Sequence, residues 1–173
     1  VYNRQSVIIA HPAGFDPADV AFATNLIPHH QQAIELSPLV PVRSTNAEVL
    51  TLALPISAAQ QPEIYTMKAF LVQWNANPQD SAVPDTHGGH EGHGGMAGMV
   101  EHATMAKLKT LNGTEFDTLW LKSMVAHHQG AVEMAKAEVA NGKNVEAQAL
   151  AEGIIEAQQA EIDQMQKAIA GEP

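Results

Sequence analysis

Two pairs of adjacent histidines are the residues of this sequence best suited to metal chemistry. His127 and His128 lie in the stretch MVAHHQGAVEM, and His29 and His30 lie in the related stretch LIPHHQQAIEL. On a helix, Met124 lies one turn before the second pair, so its thioether and both imidazoles can reach one point. Thioethers favour Cu(I), whereas imidazoles accept either copper state or zinc. The sequence therefore predicts a copper site on this helix, with zinc as a less favoured occupant.

The two histidine stretches belong to an internal duplication. Adding 98 to a residue number in the first copy gives its counterpart in the second copy without a gap. The matched pairs include Asp19 and Asp117, Asn46 and Asn144, Gln60 and Gln158, Glu63 and Glu161, and Met67 and Met165. A fixed offset held over this length indicates two copies of one structural unit. Repeat one covers about residues 16–74, and repeat two covers about residues 114–170.

Helix signals in each copy predict two helices joined by a short turn. Asp16 is expected to cap the first helix, and Thr114, with Asp117 three residues later, is expected to cap its counterpart. The predicted helices are Pro17–Ser37, Asn46–Trp74, Glu115–Asn141 and Val145–Ala170. Short connections imply antiparallel neighbours, so the prediction is an all-α, ferritin-like four-helix bundle in a single domain of residues 1–173.

Three prolines fall inside the predicted helices of the first copy. Pro28 immediately precedes the histidine pair and predicts a kink over residues 24–28, because proline removes a backbone hydrogen bond and clashes with the preceding turn. Pro55 and Pro62 are expected to interrupt the second helix. The second copy has no proline at these positions, so its helices should be the straighter ones.

A glycine-rich segment at about residues 75–113 joins the two copies. Glycine at this density cannot offset its ordering entropy by packing, so the segment is predicted to be flexible. Histidines spaced among glycines are a compositional signal for metal binding, and the alternative is a solvated linker that binds nothing. A short helix is expected near Val100. The candidate ligands of this segment are His87, His90, His93, Met96, Met99 and Met105.

The composition narrows the classes of function. The 173 residues include 9 Lys and Arg against 19 Asp and Glu, a net charge of −10. This balance argues against nucleic acid and anionic membranes as partners, and it favours cations such as metal ions. Cysteine is absent, which excludes disulfides and thiolate metal sites, and no apolar run is long enough to span a bilayer. The chain begins at Val1, so we expect a mature product from which a signal peptide was removed.

Enzymatic alternatives find less support in the sequence. A ferritin-like di-metal oxidase requires Glu-x-x-His motifs, and no glutamate here is followed three residues later by histidine. A nucleophilic serine motif and a phosphate-binding glycine loop are also absent. Glu35 and Glu133 are expected to be solvated, and His11 and His102 to be structural or idle. Two alternatives stay open: a metal-dependent redox enzyme on the same bundle, and an interaction bundle with an incidental histidine-rich linker.

The second copy resembles the CopM-type copper-binding family, a ferritin-like group of unknown function with a Met-x-x-His-His signature. The resemblance is carried by the motif GTEFDxxWLxxMxxHHxGAxxMA, by AQxxEIxxM and by the linker methionines, and it covers about residues 16–170. It implies three groups of ligand candidates. Those of repeat two are Met124, His127, His128, Met134 and Met165. Those of repeat one are His29, His30 and Met67, and those of the linker are Met96, Met99 and Met105.

This chain departs from that pattern in its first copy, where Leu26 and Leu36 stand in place of Met124 and Met134. Repeat one should therefore bind Cu(I) more weakly or act as scaffold, and the linker histidines would capture Cu(II). Met134 lies about 10 Å along the helix from His127 and cannot easily share one ion with it.

The resemblance also implies an exported bacterial protein of the periplasm or cell exterior that is not an enzyme. Such a protein would buffer or traffic copper in copper resistance, capturing the ion with the linker and holding it on the helices. A copper-transport or copper-acceptor protein would be its partner.

Whether the two histidine pairs form one internal site or stay apart on opposite faces is left open by the duplication.

Overall fold

A computed structural model describes residues 14–76 and 96–171, and within these ranges the chain forms α-helices and no strand. The helices are α1 (Pro17–Leu36), α2 (Leu39–Arg43), α3 (Ala47–Gln73), α4 (His102–Leu108), α5 (Gly113–Asn141) and α6 (Val145–Ala170). The predicted all-α bundle is confirmed, with α1, α3, α5 and α6 as its long helices. The linker residues His87, His90 and His93 lie outside the described residues, as does His11.

The four long helices close into a ring in which α1 packs on α3 and α5, and α6 packs on α5 and α3. Trp120, near the start of α5, donates from Nε1 to the carbonyl of Leu36 at the end of α1 (2.9 Å). Asp19, at the start of α1, accepts from the backbone N–H groups of Lys143 (3.0 Å) and Asn144 (3.1 Å), just after α5 ends. The start of each helix thus meets the end of the other, and α1 runs antiparallel to α5.

Two apolar clusters fill the interior, one toward each end of the bundle. The first contains Leu36, Trp120 and Met124, and the second contains Phe22 and Met67. Between the two clusters, the middle of each long helix contributes buried polar side chains. We call this set the polar layer; it consists of His29, His30, Gln60, His127, His128 and Gln158. Because every member has its duplicate in the set, the polar layer is a property of the repeated unit.

A pair of buried acids stands where α1, α5 and the turn into α6 meet. Glu138 is 1% exposed and Asp19 is fully buried. Burial raises the pKa of Glu138 to about 9, and the neighbouring Asp19 carboxyl adds to the shift, so Glu138 carries a proton at neutral pH. A Cβ on Gly142 would overlap both carboxyl groups, so a larger residue there would require them to shift.

The start of the first helix of each copy agrees with prediction in the first copy and differs in the second. Asp16 caps α1 in a complete capping box with Asp19, as expected. The predicted Thr114 cap is wrong, because α5 begins at Gly113 after Asn112 and has no side-chain cap. Gly113 has a φ of +63°, which glycine adopts without strain and which lets the chain enter the helix before Thr114.

The predicted interruption of the second helix is wrong, because α3 continues through Pro55 and Pro62. Both prolines are exposed, as are Thr51 and Ala58, whose carbonyls lose their helical partners. Water can satisfy those carbonyls, while the opposite face of α3 stays packed in the bundle. Helix α1 likewise runs unbroken through Pro28. None of the described helices combines the length and apolar character needed to cross a membrane.

Candidate metal centre

The histidines of the two copies meet inside the bundle. His29, His30 and His128 are completely buried, and His127 is 1% exposed. The ring centroids of His29 and His127 lie 3.8 Å apart, with an angle of 31° between the ring planes. This contact follows from the antiparallel crossing of α1 and α5, which brings the midpoints of the two helices together. The two pairs therefore meet inside the bundle, an arrangement that the duplication alone had left open.

Each copy also pairs its second histidine with a glutamate from the neighbouring helix. His30 Nε2 lies 2.7 Å from Glu63 Oε1, and His128 Nε2 lies 2.6 Å from Glu161 Oε1. The histidines are fully buried, whereas both glutamate side chains keep 24% of their surface exposed. The same contact is thus built twice, once between α1 and α3 and once between α5 and α6.

Several ring nitrogens of the polar layer have no hydrogen-bond partner within the described residues. They are Nδ1 of His29, His30 and His128 and both nitrogens of His127. The side-chain oxygens of Gln60 and Gln158 in the same layer are also unpaired. A buried polar atom without a partner costs about 1–3 kcal/mol, and such atoms commonly mark an ion or water site. The donor atoms present therefore fit a metal that imidazole binds.

Burial keeps the central imidazoles neutral. It lowers the pKa of His29 to about 4. A hydrogen bond to the Ala97 carbonyl opposes the shift without cancelling it. Burial also lowers the pKa of His127 well below 6.5, with repulsion from His29 as the next cause. Neutral imidazole is the form that binds metals, so these rings are ready to bind at neutral pH.

Residues 96–101, which we call the strap, lie across α1 beside the histidines. His29 donates from Nε2 to the carbonyl of Ala97 (2.9 Å). The side chain of Gln32 accepts from the N–H of Val100 (2.8 Å) and donates to its carbonyl (2.9 Å). The strap is thus hydrogen-bonded to the same face of α1 that carries the first histidine pair.

Two glycines allow the strap to approach α5. A Cβ on Gly130 would overlap the carbonyl of Ala97, and a Cβ on Gly98, which has a φ of +78°, would overlap the carbonyl of Ala126. The counterpart of Gly130 in the first copy is Gln32, the residue that binds the strap on α1. The two copies therefore differ at this position: one has a side chain that binds the strap, and the other leaves space for it.

The candidate methionines are divided between the two sides of the polar layer. Met124 and Met165 are fully buried in the first apolar cluster, and Met67 is fully buried in the second, against which half-buried Met134 packs. The remaining three, Met96, Met99 and Met105, are half-buried in the strap and in α4. Met105 and buried Leu108 face the first cluster. The role of these thioethers as ligands stays a prediction.

The carboxylates do not form a cluster of their own around the histidines. Within residues 14–76 and 96–171, no three histidine or acidic side chains are arranged to hold one ion together. Glu35 and Glu133 are exposed, as predicted. His102 begins α4 and is exposed as well. The candidate centre is therefore a set of paired imidazoles with thioethers on either side.

The prediction from sequence missed three residues that hold the histidines in place. Glu63 and Glu161 were recognised as duplicates, but their contacts with the histidines were not anticipated. The sequence contains a signal for these contacts, because the glutamate follows the second histidine by 33 residues in both copies. Gln32 was missed as well, and its signal is its replacement by Gly130 in the other copy.

Comparison with known proteins agrees with this architecture. A DUF305 protein from Streptomyces coelicolor, whose name describes it as secreted, is 34% identical, with a TM-score of 0.77 over 89% of this chain and 93% of its own. A DUF305 fragment from Deinococcus radiodurans is 31% identical, with a TM-score of 0.77 over 92% and 98%. CopM in its Cu(II)-bound form is 31% identical, with a TM-score of 0.73 over 88% and 96%.

CopM has also been solved in Cu(I)-bound and silver-bound forms, to which this chain is similar at 29% identity with a TM-score of 0.69 in each. A comparison with curated proteins gives no match. The sequence model of the family described as Domain of unknown function (DUF305) matches residues 19–169. Since this match includes all four long helices and the whole polar layer, the chain belongs to the DUF305 family, and its CopM-type resemblance is confirmed.

Proposed function

We propose that this protein binds copper in the polar layer and serves copper resistance, buffering or trafficking outside the cytoplasm. The observation that carries the proposal is the set of buried, unpaired ring nitrogens on His29, His30, His127 and His128. Burial lowers the pKa values of His29 and His127, so these two rings accept copper without first losing a proton. The copper-bound and silver-bound structures of CopM, at about 30% identity, support the same assignment.

The donor set favours copper over harder metals. Imidazole suits both copper states, and the flanking thioethers of Met124, Met165, Met67 and Met134 favour Cu(I). Iron, manganese and magnesium would draw on carboxylates, which lie at the edge of this layer and not at its centre. Zinc is a less favoured occupant because thioether ligands do not suit it as well as thiolates do.

Copper is cargo in this proposal, and the protein holds and releases it without turning over a substrate. The linker histidines and the strap methionines Met96 and Met99 would capture the ion, because this segment leads directly to the His29 contact. The net charge of −10 attracts a cation to the surface and suits exchange with a copper-transport or copper-acceptor protein.

An anaerobic Cu(I) competition titration against a chromogenic chelator tests the proposal. The set compares wild type with three variants: His29→Gln/His127→Gln in the layer, His87→Ser/His90→Ser/His93→Ser in the linker, and Glu35→Gln/Glu133→Gln as a duplicated surface control. The layer variant should lose at least about 100-fold in affinity, since removing even a group that orients a ligand costs about 10–100-fold. The linker variant should lose only weaker sites, and the control should match wild type.

Two results would overturn the proposal. Tight binding that survives in the layer variant and disappears with the linker histidines would make the linker the working site and the bundle a scaffold. Steady-state consumption of oxygen or peroxide by the copper-loaded protein would favour the redox-enzyme alternative. That assay needs only an oxygen electrode and the wild-type protein.

A further inference from the structure

We propose that Glu63 and Glu161 are positioning residues that fix the tautomers of His30 and His128, so that Nδ1 is the copper-binding atom of both rings. This inference rests on the proposed function. It goes further by naming the atoms that bind and the residues that select them.

The evidence begins with two contacts of the same kind in separate helix pairs. The Nε2–Oε1 distances of 2.7 and 2.6 Å are those of strong, charge-assisted hydrogen bonds. Both imidazoles are completely buried, and both carboxylates lie at the edge of the bundle with 24% of their surface in solvent. We take the carboxylate oxygen as the acceptor and the imidazole N–H as the donor in both contacts.

The hydrogen-bond inventory of imidazole then assigns the tautomer. A neutral ring has one N–H donor and one acceptor nitrogen. With the carboxylate oxygen as the acceptor, Nε2 of His30 and of His128 carries the proton. The lone pair is left on Nδ1, and in both rings Nδ1 is buried without a partner. A carboxylate that holds the far nitrogen of a metal-binding histidine orients the ring and raises its basicity.

The other two histidines show that this arrangement is selective. His29 has the same tautomer as His30 and His128. Its Nε2 donates to the carbonyl of Ala97 in the strap, and its Nδ1 has no partner within the described residues. Among the residues that the structure describes, His127 has no hydrogen-bond partner on either nitrogen. Three rings of the layer therefore have a fixed tautomer and orientation, and His127 is the ring that can adjust to the ion.

An alternative role for the glutamates is a structural ion pair with protonated histidine. The two roles differ in the protonation of Nδ1, which carries a proton in the ion pair and none in the proposed tautomer. Long-range ¹H–¹⁵N NMR correlation on the uniformly ¹⁵N-labelled, copper-free full chain distinguishes them. Signals of the two rings are assigned by their loss in His30→Gln and His128→Gln. We expect protonated Nε2 and bare Nδ1 in both rings at pH 7.5; a proton on Nδ1 in either ring would overturn the inference.

The same sample identifies the binding atom when Cu(I) is added under anaerobic conditions. The expected result is a selective change of the Nδ1 resonances of His30 and His128. A change confined to Nε2 would overturn the inference while leaving the proposed function intact. No change at any histidine of the layer would overturn the proposed function and the binding role of Nδ1 together, whereas the copper-free spectra would still report the tautomers.

Substitution of the glutamates separates positioning from simple stability. In Glu161→Leu and Glu63→Leu the affinity for Cu(I) should fall by about 10–100-fold, and the copper-free rings should populate both tautomers. Glutamine keeps an oxygen that accepts from Nε2, so Glu161→Gln should retain the tautomer and most of the affinity. Glu133→Gln is the matched surface control. Leucine variants with unchanged tautomers and unchanged affinity would refute the positioning role, whatever their stability.

Discussion

Acidification should destabilise the copper-free protein through His29 and His127. Burial lowers the pKa of His29 to about 4 and that of His127 well below 6.5, whereas both titrate near 6.5 in the unfolded chain. Below pH 6.5 the unfolded chain therefore binds protons at these two histidines, and the folded protein does not. The stabilisation that these neutral rings contribute is complete above pH 6.5 and is lost progressively as the pH falls toward 4.

The size of this loss in the free energy of unfolding depends on how far the pH falls below the histidine pKa of the unfolded chain. One pKa unit corresponds to about 1.36 kcal/mol, and pH 5 lies about 1.5 units below the ordinary histidine value. The loss between pH 7.5 and 5 is therefore about 2 kcal/mol for His29, and the lowered pKa of His127 adds a loss of the same sign. Glu138 acts with the opposite sign, because its pKa of about 9 makes the folded protein retain a proton that the unfolded chain releases. The diagnostic quantity is therefore the difference between wild type and a histidine variant.

The assay is urea unfolding at pH 7.5 and 5.0, followed by circular dichroism, for copper-free wild type and His29→Gln/His127→Gln. The stability of wild type relative to the variant should fall by at least about 2 kcal/mol on acidification, since His29 alone accounts for that much. A relative change below about 1 kcal/mol would refute the reasoning. If the variant does not fold, an NMR titration of wild type gives the same answer, since His29 and His127 should show no titration near pH 6.5.

Three further outcomes are expected. Gly130→Ala should destabilise the fold by about 1–3 kcal/mol in urea unfolding, because its methyl group would overlap the Ala97 carbonyl; the control Gly153→Ala, on an open part of α6, should stabilise it by about 0.5–1 kcal/mol, and equal effects would contradict the strap contact. Leu54→Glu and Tyr65→Asp, which copy the charged residues of the second repeat onto exposed positions of α3, should change stability by less than about 0.5 kcal/mol, and a larger loss would mean that this face is packed. Free copper at about 100 times its Kd should stabilise wild type by about 2.7 kcal/mol, and no rise in Tm would contradict binding to the folded state.

The helices and the duplication could be predicted because their signals are local or strictly periodic. Asp16 caps α1 as its residue type indicates, and the constant offset of 98 identifies the second copy. The meeting of the histidine pairs could not be predicted, since the same duplication allows two faces or one interior. Contacts at the two ends of α1, made by Leu36 and Asp19, determine the crossing with α5.

The features that the sequence did not reveal depend on contacts between distant parts of the chain. Ala97 meets His29 across 68 residues, and no local pattern indicates that contact. The continuity of α3 through Pro55 and Pro62 depends on which face of the helix is exposed, and proline alone does not report this. For the same reason, the Glu63 and Glu161 contacts become evident only once neighbouring helices are in register.

The most direct test of a copper site in the polar layer is anomalous diffraction at the copper absorption edge, from crystals of the full chain loaded with Cu(I) under anaerobic conditions. Our account predicts that the strongest anomalous peak lies among His29, His30, His127 and His128, next to their Nδ1 atoms. Strong peaks found only at the linker histidines or on the protein surface, with none inside the bundle, would contradict it.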